Sequence, residues 1–191
     1  MIESNGCIEW IMKMAGVEKY QTLYFANRID VRTMQRCGGT TMRHVWKQIH
    51  TGRAEKMSMF ERKLEQDKYI VGEFGFRANS TRYTVIRDPF ERLISVAAYR
   101  GYEDINTVLE NIEDYEDHHF DSLTSRLGHP SQYDEIFTLD NISSLIELLG
   151  GDLIHTNRGN YQPVTITDKA REAILKRYND DVENGWFDYA N

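Results

Sequence analysis

The sequence predicts an α/β protein in which helices flank a central parallel sheet. Two strand-like runs each lead into a turn that contains an arginine, and an amphipathic helix follows each turn. The 191 residues are 40% hydrophobic and 28% charged, which is usual for a globular domain with one core. No repeat or linker divides the chain, so we expect a single domain over residues 1–191.

The first strand–turn–helix unit spans residues 23–52. Two strand-like runs, residues 23–26 and 29–34, precede the glycine turn Arg36-Cys37-Gly38-Gly39-Thr40-Thr41. A helix is expected after it, ending at Gly52, with an apolar side that consists of Met42, Val45, Trp46 and Ile49. Glycines let backbone N–H groups approach an anion, and a helix N-terminus adds partial positive charge. The glycine turn therefore predicts a site for a phosphate-bearing group.

The second unit begins with residues 82–86, a short apolar run typical of a buried parallel strand. Arg87 follows this strand directly. Asp88 is placed as an N-cap, Pro89 as the first helical residue and Glu91 as the carboxylate of a capping box. The spacing therefore predicts a second helix that starts beside a cation.

The rest of the chain carries weaker patterns. We expect helices at residues 8–15, 53–68, 140–149 and 167–182, a strand at residues 69–74, and an acidic, solvated helix with a loop at residues 103–120. Asp140 and Thr167 are the expected N-caps of the last two helices. Ala170, Ile174, Tyr178 and Val182 form the expected buried side of the final helix.

The net charge of −7 argues against nonspecific binding to nucleic acid or to an anionic membrane. Basic residues are nevertheless concentrated near the two turns: Arg28, Arg32, Arg36, Arg43 and Lys47 near the first, and Arg82, Arg87, Arg92 and Arg100 near the second. A basic pocket within an acidic protein suits a small polyanion.

The cellular location is predicted from targeting features that are not visible in the sequence. No apolar run approaches the roughly 20 residues of a membrane span, and no signal peptide is visible. Cys7 and Cys37 are the two cysteines, and we expect both to be free thiols in a reducing compartment. A cytoplasmic protein of bacterial or viral origin is the expectation.

The glycine turn differs from a Walker P-loop, because no lysine precedes Thr40 or Thr41. A kinase also needs a carboxylate for Mg²⁺ after a hydrophobic strand. Asp88 has that position, but its lone pairs are expected to cap the helix. A P-loop-type kinase is therefore a less favoured interpretation.

The two motifs together resemble those of sulfotransferases that use 3′-phosphoadenosine-5′-phosphosulfate (PAPS). Residues 35–41 are similar to the family's 5′-phosphosulfate loop, and residues 85–99 to its 3′-phosphate motif. In that motif an arginine and a serine eight residues later hold the 3′-phosphate, and here they are Arg87 and Ser95. Fainter likeness to the carbohydrate-type members continues at residues 117–120, 133–134 and 155–158.

The resemblance implies the sulfotransferase fold, which is a P-loop-like arrangement of three layers. It also implies PAPS as donor, 3′,5′-adenosine bisphosphate (PAP) as product, and a hydroxyl acceptor on a small molecule or glycan. The 5′-phosphosulfate would be held by Arg36, Cys37, Gly38, Gly39, Thr40 and Thr41. No metal is expected, because the chemistry needs none and the spacing of His118, His119 and Asp121 matches no tight ligand set.

Transfer also needs a cation on the leaving phosphate and a base on the acceptor hydroxyl. Arg36 stands where the family has lysine. Glu73 occupies the place of the histidine base found in many relatives, and it is the leading base candidate, with His119 second. Because of Arg36 and the missing histidine, a nucleotide-binding protein with impaired catalysis is the alternative.

Overall fold

A single four-stranded sheet organises the part of the chain that the computed structural model describes, residues 21–52, 76–152 and 164–187. Its strands, in spatial order, are β1 (Gln21–Phe25), β2 (Ile29–Thr33), β3 (Thr81–Ile86) and β4 (Glu135–Thr138). β2, β3 and β4 run parallel, and β1 is antiparallel to β2. The fold is therefore mixed α/β with a mostly parallel sheet.

Seven α-helices lie within the described residues. They are α1 (Gly39–Thr51), α2 (Pro89–Arg100), α3 (Ile105–Glu110), α4 (Leu123–Leu127), α5 (Ile142–Leu148), α6 (Asp168–Arg177) and α7 (Asn179–Glu183). None of these helices combines the length and the apolar content that crossing a bilayer requires. The helices predicted at residues 8–15 and 53–68 and the strand predicted at residues 69–74 lie outside the described residues.

The antiparallel β1 departs from the predicted all-parallel sheet. Asn27 and Arg28 both adopt left-handed backbone conformations, with φ of 59° and 57°. Consecutive left-handed residues reverse the chain in the way that tight hairpins require. β1 is therefore folded back onto β2, where Leu23 pairs with Val31.

Helix capping mostly follows the sequence. The side chain of Asp88 accepts a hydrogen bond from the Glu91 backbone N–H at 3.0 Å, and Thr167 accepts from the Ala170 N–H at 3.1 Å. The prediction that Asp140 caps α5 is wrong, because the helix begins after Asn141. Asn141 turns its side-chain oxygen back to the Thr138 N–H at 2.7 Å.

One face of the sheet packs against α1 and α5. The buried residues of this core are Leu23, Phe25, Val31, Met42, Val45, Tyr83, Val85, Phe137, Ile142, Leu145 and Ile146. On the other face, Ile86 packs with Leu123 and Leu127 of α4 and with Trp186. Helices therefore contact both faces of the sheet.

A second core joins α2 to α3 and α6. Val108, Leu109, Ile112 and Phe120 are all buried in it. Residues 103–120 therefore contain a short helix and loops with mostly exposed acidic residues, as their composition predicts, but these four apolar residues are buried. The final helix also differs, since it breaks at Tyr178, and Asp181 is buried while Val182 is only partly so.

Gly38 is the position in the first turn that most requires glycine. Its φ is +80°, and a Cβ there would lie 2.8 Å from Ile142 Cδ1 and 3.2 Å from Leu139 Cδ1. We expect Gly38→Ala to lower the free energy of unfolding by about 2–4 kcal/mol, since backbone strain and overpacking add. Urea unfolding followed by circular dichroism measures the change.

Gly52→Ala is the matched control for this measurement. Gly52 has a φ of +67°, but among the described residues no atom beyond its chain neighbours and its own helix backbone lies within 4 Å of the position that a Cβ would take there. Its substitution should cost only the backbone strain, roughly 1 kcal/mol. Equal losses in the two variants would contradict the role assigned to the Ile142 and Leu139 contacts.

Candidate functional site

The glycine turn and the Arg87 turn lie at the same edge of the sheet. β2 and β3 are parallel neighbours, with Thr33 paired to Val85, so both strands end on that side. The glycine turn connects β2 to α1, and Arg87 and Asp88 connect β3 to α2. Two helix N-termini therefore begin beside each other, as the spacing of the motifs predicts.

The first turn of α1 is suited to an anion. Gly38 is its N-cap and makes no side-chain cap bond, and the backbone N–H groups at Gly39, Thr40 and Thr41 precede Met42, the first residue that bonds four residues back. Arg43 donates to Thr40 Oγ1 at 3.1 Å. Cationic and N–H donors thus lie together at the start of this helix.

Arg36 joins the two turns. Its Nε and Nη2 both donate to Ser95 Oγ, at 3.0 and 2.7 Å, across 59 residues of sequence. The guanidinium carbon also lies 4.9 Å from the centroid of the Tyr99 ring. Arg36 holds a left-handed backbone conformation, with φ of 65°, which is unusual for a residue with a side chain. The two residues that the sequence assigns to opposite ends of the donor are thus in direct contact.

Cys37 is a buried free thiol that forms a second link between the turns. The backbone of Arg87 hydrogen-bonds this thiol. Burial raises the pKa of Cys37 to about 11, although the charges of Arg92, Arg87 and Arg36 act in the opposite direction. Cys37 is therefore neutral at pH 7 and supports the turn as a packed, uncharged group.

Arg87 and Ser95 both lie on the segment that the sequence identifies. Arg87 pairs with Glu91 at 3.2 Å, and its side chain remains partly exposed. Ser95 is buried, with 1% of its surface exposed, and its hydroxyl accepts from Arg36. Arg32, which the sequence groups with the first turn, instead lies on the sheet, where it donates to Thr22 and contacts the ring of Phe76.

His119 lies beside this site and forms a pair with Asp117. Asp117 Oδ1 lies 2.7 Å from His119 Nδ1 and accepts from the His119 backbone N–H at 3.0 Å. Asp117 Oδ2 accepts from Arg100 at 2.5 Å. The His119 ring is 6.0 Å from the Tyr99 ring, whose cationic neighbour is Arg36.

The pKa values of this pair shift together. Partial burial disfavours the charge of Asp117, but the hydrogen bonds from His119 and the charge of Arg100 prevail and lower its pKa to about 2. Partial burial also lowers the pKa of His119 below its usual value, although Asp117 acts against this. An ionised carboxylate beside a neutral imidazole is therefore the arrangement at pH 7.

Asp117, His118 and His119 place potential ligand atoms within 4.8 Å of one another, the one such group among the described residues. Arg100 forms an ion pair with the Asp117 carboxylate, and its Nη2 also lies 2.9 Å from His119 Nδ1. A guanidinium at this distance would repel a metal cation. We therefore assign no metal to this cluster.

The sequence groups Arg100 with the second turn and places Tyr99 and Asp117 in segments of likeness, but it assigns none of these three residues a role at the site. Tyr99 lies four residues after Ser95, one helical turn on, and that spacing was the available signal. Asp117 could be found only through the fold, because a loop brings it to α2. Glu73, the leading base candidate, lies outside the described residues.

Comparisons of this chain with protein-family models, with curated proteins and with solved structures found no match. Its function must therefore be inferred from its own residues and their arrangement.

A double-mutant cycle measures the link between the turns. For Arg36→Gln and Ser95→Ala we expect a coupling energy of about 1–2 kcal/mol in unfolding experiments, because the hydrogen bonds involve a charged donor. Arg87→Gln combined with Ser95→Ala is the matched control and should give coupling near zero. Equal coupling in both cycles would contradict a specific Arg36–Ser95 interaction.

The shifted pKa of Asp117 predicts a pH-dependent contribution to stability. Its folded-state pKa of about 2 lies below the ordinary 3.8, so its stabilisation is present above pH 4 and is lost as the pH falls towards 2. Asp117→Asn should therefore lower the free energy of unfolding by about 1–2 kcal/mol at pH 6, and by much less at pH 2.5. Urea unfolding at both pH values is the measurement, with the exposed Glu116→Gln as control. If Asp117→Asn lowered the free energy of unfolding equally at both pH values, the contribution could not come from the lowered pKa of Asp117.

Proposed function

We propose that this protein is a sulfotransferase that moves a sulfuryl group from PAPS to an acceptor hydroxyl, and that its α/β domain has the sulfotransferase fold. The observation that carries the proposal is the contact between Arg36 and Ser95. It joins two motifs that resemble the two donor-binding motifs of that family. The contact supports the proposal because it brings one residue of each motif into a single site.

The arrangement suits a ligand with a phosphate at each end of a nucleoside. The N–H groups at the start of α1, together with Arg36 and the hydroxyls of Thr40 and Thr41, would hold the 5′-phosphosulfate. Arg87 and Ser95 would hold the 3′-phosphate. An anion arriving at either end competes with Ser95 for the guanidinium of Arg36, so donor binding would rearrange this contact.

Sulfuryl transfer would then proceed by in-line displacement, in which the protein supplies position and charge. Arg36 would stabilise the negative charge that develops on the leaving 5′-phosphate. The guanidinium keeps its proton at neutral pH, so it acts as a charge and hydrogen-bond donor and not as an acid. A base must take the acceptor proton, and Glu73 and His119 are the candidates. The acceptor would be a small molecule or a glycan.

A nucleotide-binding protein with impaired catalysis is the second candidate. The observation that favours it is that two donors of Arg36 already bind Ser95, which holds the cation inside the site. Such a protein would bind PAP and transfer no sulfate. Recovery of transfer in Arg36→Lys would favour an impaired enzyme over a binding module.

Binding of PAP tests the donor site directly. At 100 times its dissociation constant, PAP should raise the melting temperature by about 5–10 °C, since a ligand at that excess adds about 2.7 kcal/mol. Arg87→Ala should weaken binding about 10–100-fold, because a charged hydrogen bond to phosphate is lost. Differential scanning fluorimetry and calorimetric titration are the measurements.

Lys176→Ala is the matched control, since Lys176 is an exposed cation on α6 outside both motifs. It should bind PAP as the unmodified protein does. Absence of any PAP shift, or equal affinity in Arg87→Ala, would overturn the proposed function. Stronger stabilisation by ATP with Mg²⁺ than by PAP would instead favour a kinase.

A further inference from the structure

Arg92 is a buried cation on the helix that carries Ser95, and only 1% of its surface is exposed. Its Nη1 donates to the His119 carbonyl oxygen at 3.1 Å, and its Nη2 donates to the Asp121 carbonyl oxygen at 2.6 Å. The guanidinium carbon lies 5.5 Å from the centroid of the Tyr178 ring. Arg92 is thus held in place by groups that carry no net charge.

Within the described part of the chain, Arg92 forms no ion pair with a carboxylate. The ion pairs of α2 and of the adjoining loop involve other cations: Arg87 with Glu91, Arg100 with Asp117, and Arg126 with Asp121. A guanidinium stays protonated at neutral pH, and a buried charge without a counter-ion is costly. An anion that binds near Arg92 would therefore be favoured.

Arg92 lies close to the second turn of the proposed donor site. Its backbone N–H donates to the Asp88 carbonyl oxygen at 2.8 Å, so it belongs to the first turn of α2, just after Arg87. Ser95 follows it by three residues, and residues at this spacing are neighbours on one side of a helix. The same Ser95 hydroxyl accepts both hydrogen bonds from Arg36.

The charge of Arg92 also acts on the glycine turn. Burial raises the pKa of the Cys37 thiol to about 11, and the charge of Arg92 opposes this more strongly than those of Arg87 and Arg36. Arg36 and Arg87 are the cations that the resemblance assigns to the two phosphates. A buried charge is screened by water and salt less than an exposed one. Its effect on an anion between the turns should therefore persist at physiological salt.

We propose that Arg92 increases the affinity of the donor site for its doubly phosphorylated ligand by supplying a fixed positive charge, an inference that deepens the proposed function and rests on it. The N–H groups of Arg92 remain bonded to the loop carbonyls, so Arg36, Arg87 and Ser95 contact the phosphates and Arg92 acts through its charge. A charge that is already fixed requires no rearrangement when the ligand binds.

Two substitutions separate the charge of Arg92 from its hydrogen bonds. Arg92→Met removes the charge and Arg92→Lys keeps it, while both lose the planar fork that binds two carbonyl oxygens. In calorimetric titrations Arg92→Met should weaken PAP binding about 10-fold or more, and Arg92→Lys by less than about threefold. Adenosine 5′-monophosphate carries fewer negative charges, so Arg92→Met should weaken its binding less. A merely structural role would not depend on the charge of the side chain or of the ligand.

Tyr178→Phe is the matched control, because Tyr178 Oη donates to the Phe120 carbonyl oxygen at 2.6 Å in the same loop. This variant loses a hydrogen bond to the loop but no charge, so it should be less stable and still bind PAP within about twofold. Lys176→Met removes an exposed charge outside both motifs and should also keep PAP affinity within about twofold.

The pH dependence of Arg92→Lys provides a second test, which does not require Arg92→Met to fold. Burial lowers the pKa of a lysine, so the introduced ammonium should lose its charge as the pH rises from about 7 to about 10. PAP affinity should then fall more steeply with pH than in the unmodified protein, because a guanidinium keeps its charge over this range. An equal pH dependence in the two proteins would overturn the role of the charge.

Inorganic pyrophosphate separates this inference from the proposed function. If PAP binds and the two Arg92 variants weaken its binding equally, the role of the Arg92 charge is overturned and the proposed function stands. If pyrophosphate binds and PAP does not, and only Arg92→Met weakens pyrophosphate binding, the proposed function falls and the role of Arg92 in anion affinity stands. If neither ligand binds, both are overturned.

Discussion

The hydrogen bonds from Arg36 to Ser95 are the interaction on which the site depends. They require β2 and β3 to be parallel neighbours, because only then do both strands end at the same edge of the sheet. They also require left-handed backbone at Arg36 and Gly38, which turns the chain sharply between β2 and α1. Sheet topology and two unusual backbone conformations thus combine to place one guanidinium.

Helix α2 connects the Arg36–Ser95 contact to the rest of the site. Ser95 and Tyr99, one turn apart, contact Arg36, while Arg92 and Arg100 hold the loop that contains Asp117. Asp88 caps the helix and so fixes the residue at which it begins. The start of the helix determines the direction in which each of these four side chains leaves it. The helix therefore positions the glycine turn and the Asp117 loop relative to each other.

The sequence predicts helix caps and helix ends, which neighbouring residues determine. It does not predict contacts between residues that are far apart in the chain. The cap at Asp88 and the helix end at Gly52 are set by neighbouring residues, so periodicity and capping patterns predict them. β4 has only four residues and no alternating pattern, and its existence depends on pairing with β3. The same limit applies to Asp117, because its partner Arg100 is in another element and no local pattern joins them.

The arginine at position 36, where the resemblance leads one to expect lysine, has a structural reason. Its planar fork directs two N–H groups to one Ser95 oxygen while its flat face contacts the ring of Tyr99. A lysine ammonium is a compact, strongly hydrated charge and has neither the fork nor the face. Ser95 and Tyr99 therefore form surroundings suited to a guanidinium. These partners on α2 match the guanidinium of Arg36, so the cation and the helix that faces it have to be considered as one unit.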